Sequence, residues 1–181
     1  VRIFDGIAAH AGYRFFGNVT VGKNITHDEL ADHYDAVVYA TGAQSDRRLG
    51  VPGEDLKGVH SAMQFIGWYN GHPDYRDATF DLSHESVAVI GAGNVALDVA
   101  RVLGRSADDL ASTDIAPYAL KALRESRVKT IHVFGRRGPA QAAFTNPELR
   151  ELGELADVDV VVPFEQLVLD EASRFASTRD E

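Results

Sequence analysis

The sequence predicts an α/β fold with a Rossmann-like, doubly wound parallel sheet, and two observations support this prediction. First, an apolar run at 86–90 leads into a glycine turn at 91–96 and then into a helical pattern at 97–103. Second, strand-like apolar runs alternate with helical patterns along the chain, as is typical of parallel strands joined by helices. The glycine turn therefore lies between a strand and a helix, where a parallel sheet binds its ligands.

The composition of the chain limits which functions are possible. Its 181 residues, 45% of them hydrophobic and 25% charged, suit one globular domain or slightly more. The net charge of −9 disfavours nucleic acid and anionic membrane surfaces as partners. The absence of cysteine excludes disulfides and thiolate metal sites within this chain, and the scattered histidines predict no metal site. No run has membrane-spanning length and no secretory signal is visible, so we expect a cytoplasmic protein.

A capping box near the amino terminus predicts a short helix. The side chains of Thr26 and Glu29 can each accept a hydrogen bond from the backbone N–H of the other, so a helix should begin there and end near Tyr34. The apolar run that follows, at 35–43, predicts a buried strand that enters a turn of small residues. The Pro-Gly pair at 52–53 then predicts a turn or linker.

The rest of the chain continues the alternation of helices and strands. The expected boundaries come from caps, glycines and prolines, together with the period of the apolar residues. In chain order, the predicted elements are a helix over 61–69, a strand over 86–90, a helix over 94–103, a loop over 104–112, a helix from 113 or 114 to about 125, a strand over 128–134, a helix from a second capping box at Thr145 and Glu148 to about 155, and a strand over 158–162.

The turn after the strand at 86–90 has the G-x-G-x-x-A pattern that holds a dinucleotide pyrophosphate. Gly91 allows the tight turn, Gly93 lets the backbone approach the phosphates, and Ala96 permits close packing of helix on strand. The free N–H groups at the start of the helix face the anion. The pattern therefore predicts a nucleotide site, and the alternative is an ordinary glycine-rich turn without a ligand.

Two arginines follow the next predicted strand, in the place where a dinucleotide fold meets the adenosine ribose. The segment 135–138 reads Gly-Arg-Arg-Gly and has no acid to accept the ribose 2′-hydroxyl of NAD. The guanidinium groups of Arg136 and Arg137 suit the 2′-phosphate of NADP, because each can donate two parallel hydrogen bonds. Residues 105–127 would be an insertion that delays this strand. The sequence therefore predicts selectivity for NADP, and the alternative is a basic surface turn.

Several short motifs, taken together, are more informative than the glycine turn alone. They are Gly-Ala-Gly-Asn-Val-Ala-Leu-Asp-Val-Ala-Arg at 91–101, Ser-Arg-Val-Lys-Thr at 126–130, Gly-Arg-Arg-Gly-Pro at 135–139, Phe-Thr at 144–145, Phe-Ile-Gly-Trp-Tyr-Asn-Gly at 65–71 and Phe-Gly-Asn-Val at 16–19. With these motifs the chain closely resembles the adrenodoxin-type NADPH:ferredoxin reductases, up to about residue 155.

The resemblance implies a flavoprotein of which this chain holds only part. In such enzymes NADPH gives a hydride to FAD, and the flavin passes single electrons to an iron–sulfur ferredoxin. Residues 1–60 would be the tail of a FAD-binding segment, and residues 61–181 would be the NADPH-binding domain. The glycine motif and the carboxy-terminal segment that hold FAD in these enzymes have no counterpart here. We therefore expect weak flavin binding and no activity from this chain alone.

The resemblance also implies roles for individual residues. Asp98 would be a catalytic residue near the nicotinamide, or else only a helix residue that compensates the dipole. Glu148 would contact the nucleotide, unless it serves only as the capping partner of Thr145. Asn94 could also act as a helix N-cap. The implied cofactor-binding residues are Gly91, Ala92, Gly93, Asn94, Val95, Arg136, Arg137 and Glu148.

Two other functions remain open from the sequence. The chain could be the NADPH-input module of a glutamate-synthase-like reductase, or a non-catalytic NADP-binding module. A ferredoxin partner is usually acidic and should dock on a basic face, and the net charge of −9 neither supports nor removes such a partner. The first residue is not methionine and the polar run at 170–181 closes the sequence, which indicates a fragment.

Overall fold

The chain divides into two compact units, Val1–Gln44 and Ser45–Glu181. The predicted functional division, a FAD-domain tail over 1–60 and an NADPH domain over 61–181, concerns which ligand each part binds, and it stays a prediction. The computed structural model describes residues 2–43, 45–169 and 171–177.

The first unit contains two short helices, α1 (Arg2–Ala8) and α2 (His27–His33). The predicted capping box begins α2: the N–H of Glu29 donates to Oγ1 of Thr26 at 3.2 Å, and the N–H of Thr26 donates to Oε2 of Glu29 at 2.8 Å. The hydroxyl of Thr26 also donates to Oε2 of Glu29 at 2.8 Å. The two hydrogen bonds that the backbone N–H and the hydroxyl of Thr26 donate to this carboxylate hold the pKa of Glu29 below its ordinary value. The helix ends before Tyr34, as the sequence predicts.

Two predicted strands are not found in the described chain. The segment 35–43 contains no strand in its described residues, and Val38 is 85% exposed rather than buried. The segment 158–162 contains none either, and Val161 is 80% exposed. A strand needs neighbouring strands to satisfy its backbone hydrogen-bonding groups, and the described residues supply no such neighbour to either segment. Both strand predictions are therefore wrong.

The second unit alternates helices and strands in the predicted order. Its elements are α3 (Ala62–Tyr69), a 3₁₀ turn (Pro73–Tyr75), β1 (Ser86–Ile90), α4 (Asn94–Gly104), α5 (Ala107–Leu110), α6 (Pro117–Arg124), β2 (Thr130–Phe134), a 3₁₀ turn (Pro139–Gln141), α7 (Asn146–Gly153), a 3₁₀ turn (Phe164–Leu167) and α8 (Glu171–Ser177). The predicted loop over 104–112 thus contains α5. The helix expected from 113 or 114 begins later, at Pro117, because proline suits the first helical position, where no N–H is needed.

The core of the second unit forms where the aromatic face of α3 meets small residues of α4 and α6. Phe65 and Trp68 of α3 are only 6% and 4% exposed. Ala96 of α4 and Ala119 of α6 belong to the same buried cluster, and small side chains there let the helices approach closely. The hydroxyl of Tyr118 donates to the carbonyl oxygen of Trp68 at 2.9 Å. This packing fixes α4, the helix that begins at the glycine turn.

The two strands pair in parallel, with Ser86 opposite Thr130 and Ile90 opposite Phe134. The chain between them forms α4, α5 and α6, so the predicted insertion is present as two helices beyond α4. Because the strands run parallel and in register, their carboxyl ends lie at the same edge of the sheet. Gly91 and Gly135, the residues that follow each strand, therefore begin two neighbouring loops.

Candidate functional site

The glycine turn after β1 has a backbone conformation that requires glycine at its first position. Gly91 has φ of +147°, a region that residues with a Cβ rarely adopt. Its N–H donates to the carbonyl oxygen of Phe134 at 2.8 Å and continues the pairing of the two strands. A Cβ added to Gly91 would lie 3.5 Å from Cβ of Ala96. The small residue at position 96 therefore allows α4 to pack closely on the turn, as the motif predicts.

The start of α4 presents backbone donors that the protein does not use. Gly93 is the N-cap of this helix and has no side chain to accept a hydrogen bond. Asn94 and Val95 follow as the first two helical residues. The N–H of Val95 has no acceptor among the described residues, whereas the N–H of Asn94 lies in the isolated parallel bridge to Ala143. The alternative role of Asn94 as N-cap is wrong, because Gly93 holds that position. Unpaired N–H groups at a helix start are the donors that bind a phosphate.

The arginine pair lies beside this turn, directly after β2. A Cβ added to Gly135 would be 3.0 Å from Cβ of Ala92, so the two loops are in close contact at the sheet edge. Arg136 and Arg137 are exposed, and neither forms an ion pair with a carboxylate of the described chain. Both guanidinium groups are therefore available to an anion near the glycine turn.

The chain then returns across the glycine turn; residues 138–145 are called the returning segment below. The N–H of Ala143 donates to the carbonyl oxygen of Ala92 at 2.7 Å, and Gly93 and Ala143 form an isolated parallel bridge. The N–H of Thr145 donates to Oδ1 of Asn94 at 2.8 Å. No local sequence pattern predicted these contacts.

The contact with Asn94 replaces the capping box expected at the start of α7. Thr145 is the N-cap of α7, but its side chain accepts no hydrogen bond from the helix. The predicted reciprocal pair of Thr145 and Glu148 is therefore wrong. Instead, Oε2 of Glu148 is buried and has no hydrogen-bond partner among the described residues. An unpaired buried carboxylate oxygen is costly and is available to a donor from a ligand, since no described residue provides one.

Asp98 lies one turn into α4 and forms an ion pair with Arg101, which also pairs with Glu151 of α7. The side chains of Asp98 and Arg101 are 37% and 26% exposed. The pair with Arg101, rather than the helix dipole, is therefore the interaction that the structure shows for Asp98.

The charge of Asp98 reaches the phenol of Tyr69 in α3. Burial raises the pKa of Tyr69 most, Asp98 raises it further, and Arg101 opposes the rise. The folded protein therefore holds the phenol proton of Tyr69 more tightly than the unfolded chain does. The resulting stabilisation is complete below the ordinary tyrosine pKa and is lost as the pH rises through the pKa of the folded state.

Replacement of Asp98 by asparagine is expected to lower the pKa of Tyr69, because the nearby negative charge is removed while the phenol stays buried. Ultraviolet titration of phenolate absorbance measures the change, and the difference from a Tyr69→Phe variant assigns the titration. Asp114→Asn is the control, since Asp114 is exposed and is not among the groups that shift the Tyr69 pKa. Equal titrations of the Asp98 and Asp114 variants would contradict the coupling.

The described residues contain no group of three or more histidine and acidic side chains placed to hold a metal ion. No helix among them is long and apolar enough to cross a membrane.

A family model for pyridine nucleotide-disulphide oxidoreductases matches residues 7–136. The chain belongs to this family. As a member, it is 54% identical to the NADPH-ferredoxin reductase FprA of Mycobacterium leprae over 164 residues, which cover 91% of this chain and 36% of the relative. It is 52% identical to a mitochondrial NADPH:adrenodoxin oxidoreductase of Arabidopsis thaliana, covering 84% of this chain and 32% of the relative.

Solved structures agree with these relatives. The structure of Mycobacterium tuberculosis FprA in complex with NADPH matches with a TM-score of 0.83 and 52% identity, over 92% of this chain and 37% of that chain. The predicted Rossmann-like α/β fold and the resemblance to adrenodoxin-type reductases are thereby confirmed. The chain spans about a third of the length of the curated relatives it matches.

Proposed function

We propose that this chain is the NADPH-binding part of a flavoprotein oxidoreductase that passes a hydride from NADPH to FAD and electrons on to a ferredoxin-type iron–sulfur protein. The observation that carries the proposal is the adjacency of two loops at one sheet edge, where Gly91 and Gly135 follow paired strands. One loop offers unpaired N–H donors, and the other offers two exposed arginines. These are the groups that a pyrophosphate and a 2′-phosphate need.

The nucleotide would be held by the residues that the sequence predicts. The N–H groups of Gly93 and Val95 would bind the pyrophosphate, with Gly91, Ala92 and Asn94 shaping the turn. Arg136 and Arg137 would bind the 2′-phosphate. When bound, NADPH supplies the hydride.

Two acidic residues would complete the site. The unpaired Oε2 of Glu148 supports a role as an acceptor for a nucleotide hydroxyl or amine. Asp98 lies four residues after Asn94 in α4, and this spacing puts both on one face of the helix. We propose that Asp98 is the catalytic residue beside the nicotinamide, with its carboxylate held in an ion pair with Arg101.

The relatives are an NADPH-ferredoxin reductase and an NADPH:adrenodoxin oxidoreductase. They favour the ferredoxin reductase over the two other functions that the sequence leaves open, the glutamate-synthase-like module and the non-catalytic module. FAD would be held mainly by segments outside this chain. The net charge of −9 disfavours binding to nucleic acid and to anionic membranes. We also propose that the protein is cytoplasmic.

The proposal is tested by the nucleotide preference of the purified protein. We expect 2′-phospho-ADP-ribose to bind about a hundredfold more tightly than ADP-ribose, because two charge-assisted contacts depend on the added phosphate. Isothermal titration calorimetry with both compounds in the same buffer measures the ratio. Equal affinities would contradict the assignment of NADPH, and loss of the preference at high salt would agree with its electrostatic origin.

A further inference from the structure

We propose that Asn94 is a positioning residue for nucleotide selectivity, acting through Thr145 on the loop that carries the arginine pair. The inference rests on the proposed function, since it concerns recognition of the 2′-phosphate. It goes beyond the backbone contact expected of Asn94, because it assigns a task to the side-chain oxygen. That oxygen accepts the N–H of Thr145 at 2.8 Å, across 51 residues of sequence.

The arginine loop is fixed to the glycine turn at both of its ends. At its start, the carbonyl oxygen of Phe134 accepts the N–H of Gly91 at 2.8 Å. At its end, the N–H of Ala143 donates to the carbonyl oxygen of Ala92, and the N–H of Thr145 donates to Asn94. Of the acceptors on the turn, only the one on Asn94 is a side chain. Among the described contacts between the returning segment and the glycine turn, it is therefore the one that a change of side chain can remove. The segment is also held to α8, where Nε2 of Gln141 donates to Oγ of Ser173 at 3.1 Å.

The anchor matters because no ion pair of the described residues holds the side chains of the two arginines. Arg136 and Arg137 are exposed and have no carboxylate partner in the described part of the chain. Their placement thus depends on how the backbone on either side of them is anchored. A released loop samples more conformations, and binding must then restrict them, which lowers affinity for whatever the loop contacts. That cost falls on the 2′-phosphate and not on the pyrophosphate.

The same hydrogen bond orients the amide of Asn94. With Oδ1 committed to Thr145, the amide nitrogen Nδ2 has no acceptor among the described residues and remains a donor at the start of α4. A residue that acted only through this donor would weaken both nucleotides equally when replaced. A residue that also positions the arginine loop changes the ratio of the two affinities, and this difference separates the two roles.

The anchor can be removed without touching Asn94. Proline in place of Thr145 has no N–H, and the φ of Thr145, −86°, is near the range that proline adopts. Thr145→Val is the matched control: it keeps the N–H and removes only a hydroxyl that caps nothing. We expect Thr145→Pro to reduce the preference for 2′-phospho-ADP-ribose over ADP-ribose by about three- to tenfold, the effect of one hydrogen bond. Thr145→Val should keep the wild-type ratio.

A second pair of variants does not depend on tolerance of proline. Asn94→Ala removes the acceptor and should reduce the ratio as Thr145→Pro does. Asn94→Asp keeps an oxygen for Thr145, so the loop stays anchored; its added charge should weaken both compounds, and the ratio should fall less than in Asn94→Ala. Calorimetry with the two compounds measures all four variants, and thermal unfolding of each reports changes in stability separately.

The outcomes separate the inference from the proposed function. Wild-type preference with a reduced ratio in Thr145→Pro and Asn94→Ala supports the positioning role. Wild-type preference that both variants retain overturns the positioning role and leaves the NADPH assignment standing. Absence of a preference in the wild-type protein overturns both.

Discussion

Replacement of Arg136 and Arg137 together by alanine is expected to abolish the preference for 2′-phospho-ADP-ribose. The two side chains are the exposed cations next to the glycine turn. Each charge-assisted hydrogen bond to a phosphate contributes about 1.5–3 kcal/mol, so loss of the pair should weaken binding of the 2′-phosphate compound by about a hundredfold or more. Affinity for ADP-ribose should change little, because the N–H donors of the turn remain.

The matched control removes two arginines elsewhere. Arg76 and Arg105 are also exposed, and their joint replacement by alanine changes the net charge by the same amount. This control should keep most of the preference, since only the long-range field is reduced. Calorimetry at one ionic strength compares the two double variants. If both lose the preference alike, the selectivity arises from net charge and not from the arginine loop.

The success of the helix predictions follows from how local their signals are. Thr26 and Glu29 are three residues apart, and their capping box forms as predicted. The G-x-G-x-x-A turn is similarly local, because the positive φ of Gly91 and the small side chain of Ala96 act over six residues. In both cases the interactions that determine the local structure join residues no more than five positions apart in the sequence.

The errors arise where a distant partner decides the outcome. The segment 35–43 has the composition of a buried strand, but a strand forms only with a neighbour, and the described residues provide none. At Thr145 the local pattern again predicts a capping box, yet the backbone N–H of this residue is bound by Asn94. That contact also leaves Glu148 without its capping partner, which is the feature that favours a role in nucleotide binding. The role of Glu148 in nucleotide binding stays a prediction from resemblance, and the unpaired Oε2 is a supporting observation that the sequence does not reveal.

Replacement of Gly67 by alanine is expected to destabilise the second unit, although alanine normally stabilises a helix interior by about 0.5–1 kcal/mol relative to glycine. Gly67 lies within α3 and faces the 3₁₀ turn at Pro73–Tyr75. A Cβ there would be 2.2 Å from Cδ2 of Tyr75 and 2.8 Å from Cε2. The ring cannot remain in place, and overpacking of this kind costs about 1–3 kcal/mol.

The local connections of Tyr75 explain why the ring cannot simply move aside. Its N–H donates to the carbonyl oxygen of His72 at 3.1 Å, and the N–H of His72 donates to the carbonyl oxygen of Gly67 at 2.8 Å. The ring of Tyr75 also contacts that of His72, with centroids 5.3 Å apart. A displaced Tyr75 therefore disturbs the turn that follows α3, and α3 carries the buried Phe65 and Trp68.

Thermal or denaturant unfolding measures the effect of Gly67→Ala, and Gly153→Ala is its control. Gly153 is the last residue of α7, and a Cβ there meets no atom within 4 Å, so alanine should be neutral or slightly stabilising. A double-mutant cycle with Tyr75→Ala then isolates the clash. Without the ring, Gly67→Ala should lose its cost and show the ordinary helix preference for alanine. If the cost persists in the Tyr75→Ala background, the close approach of α3 to Tyr75 is not its cause.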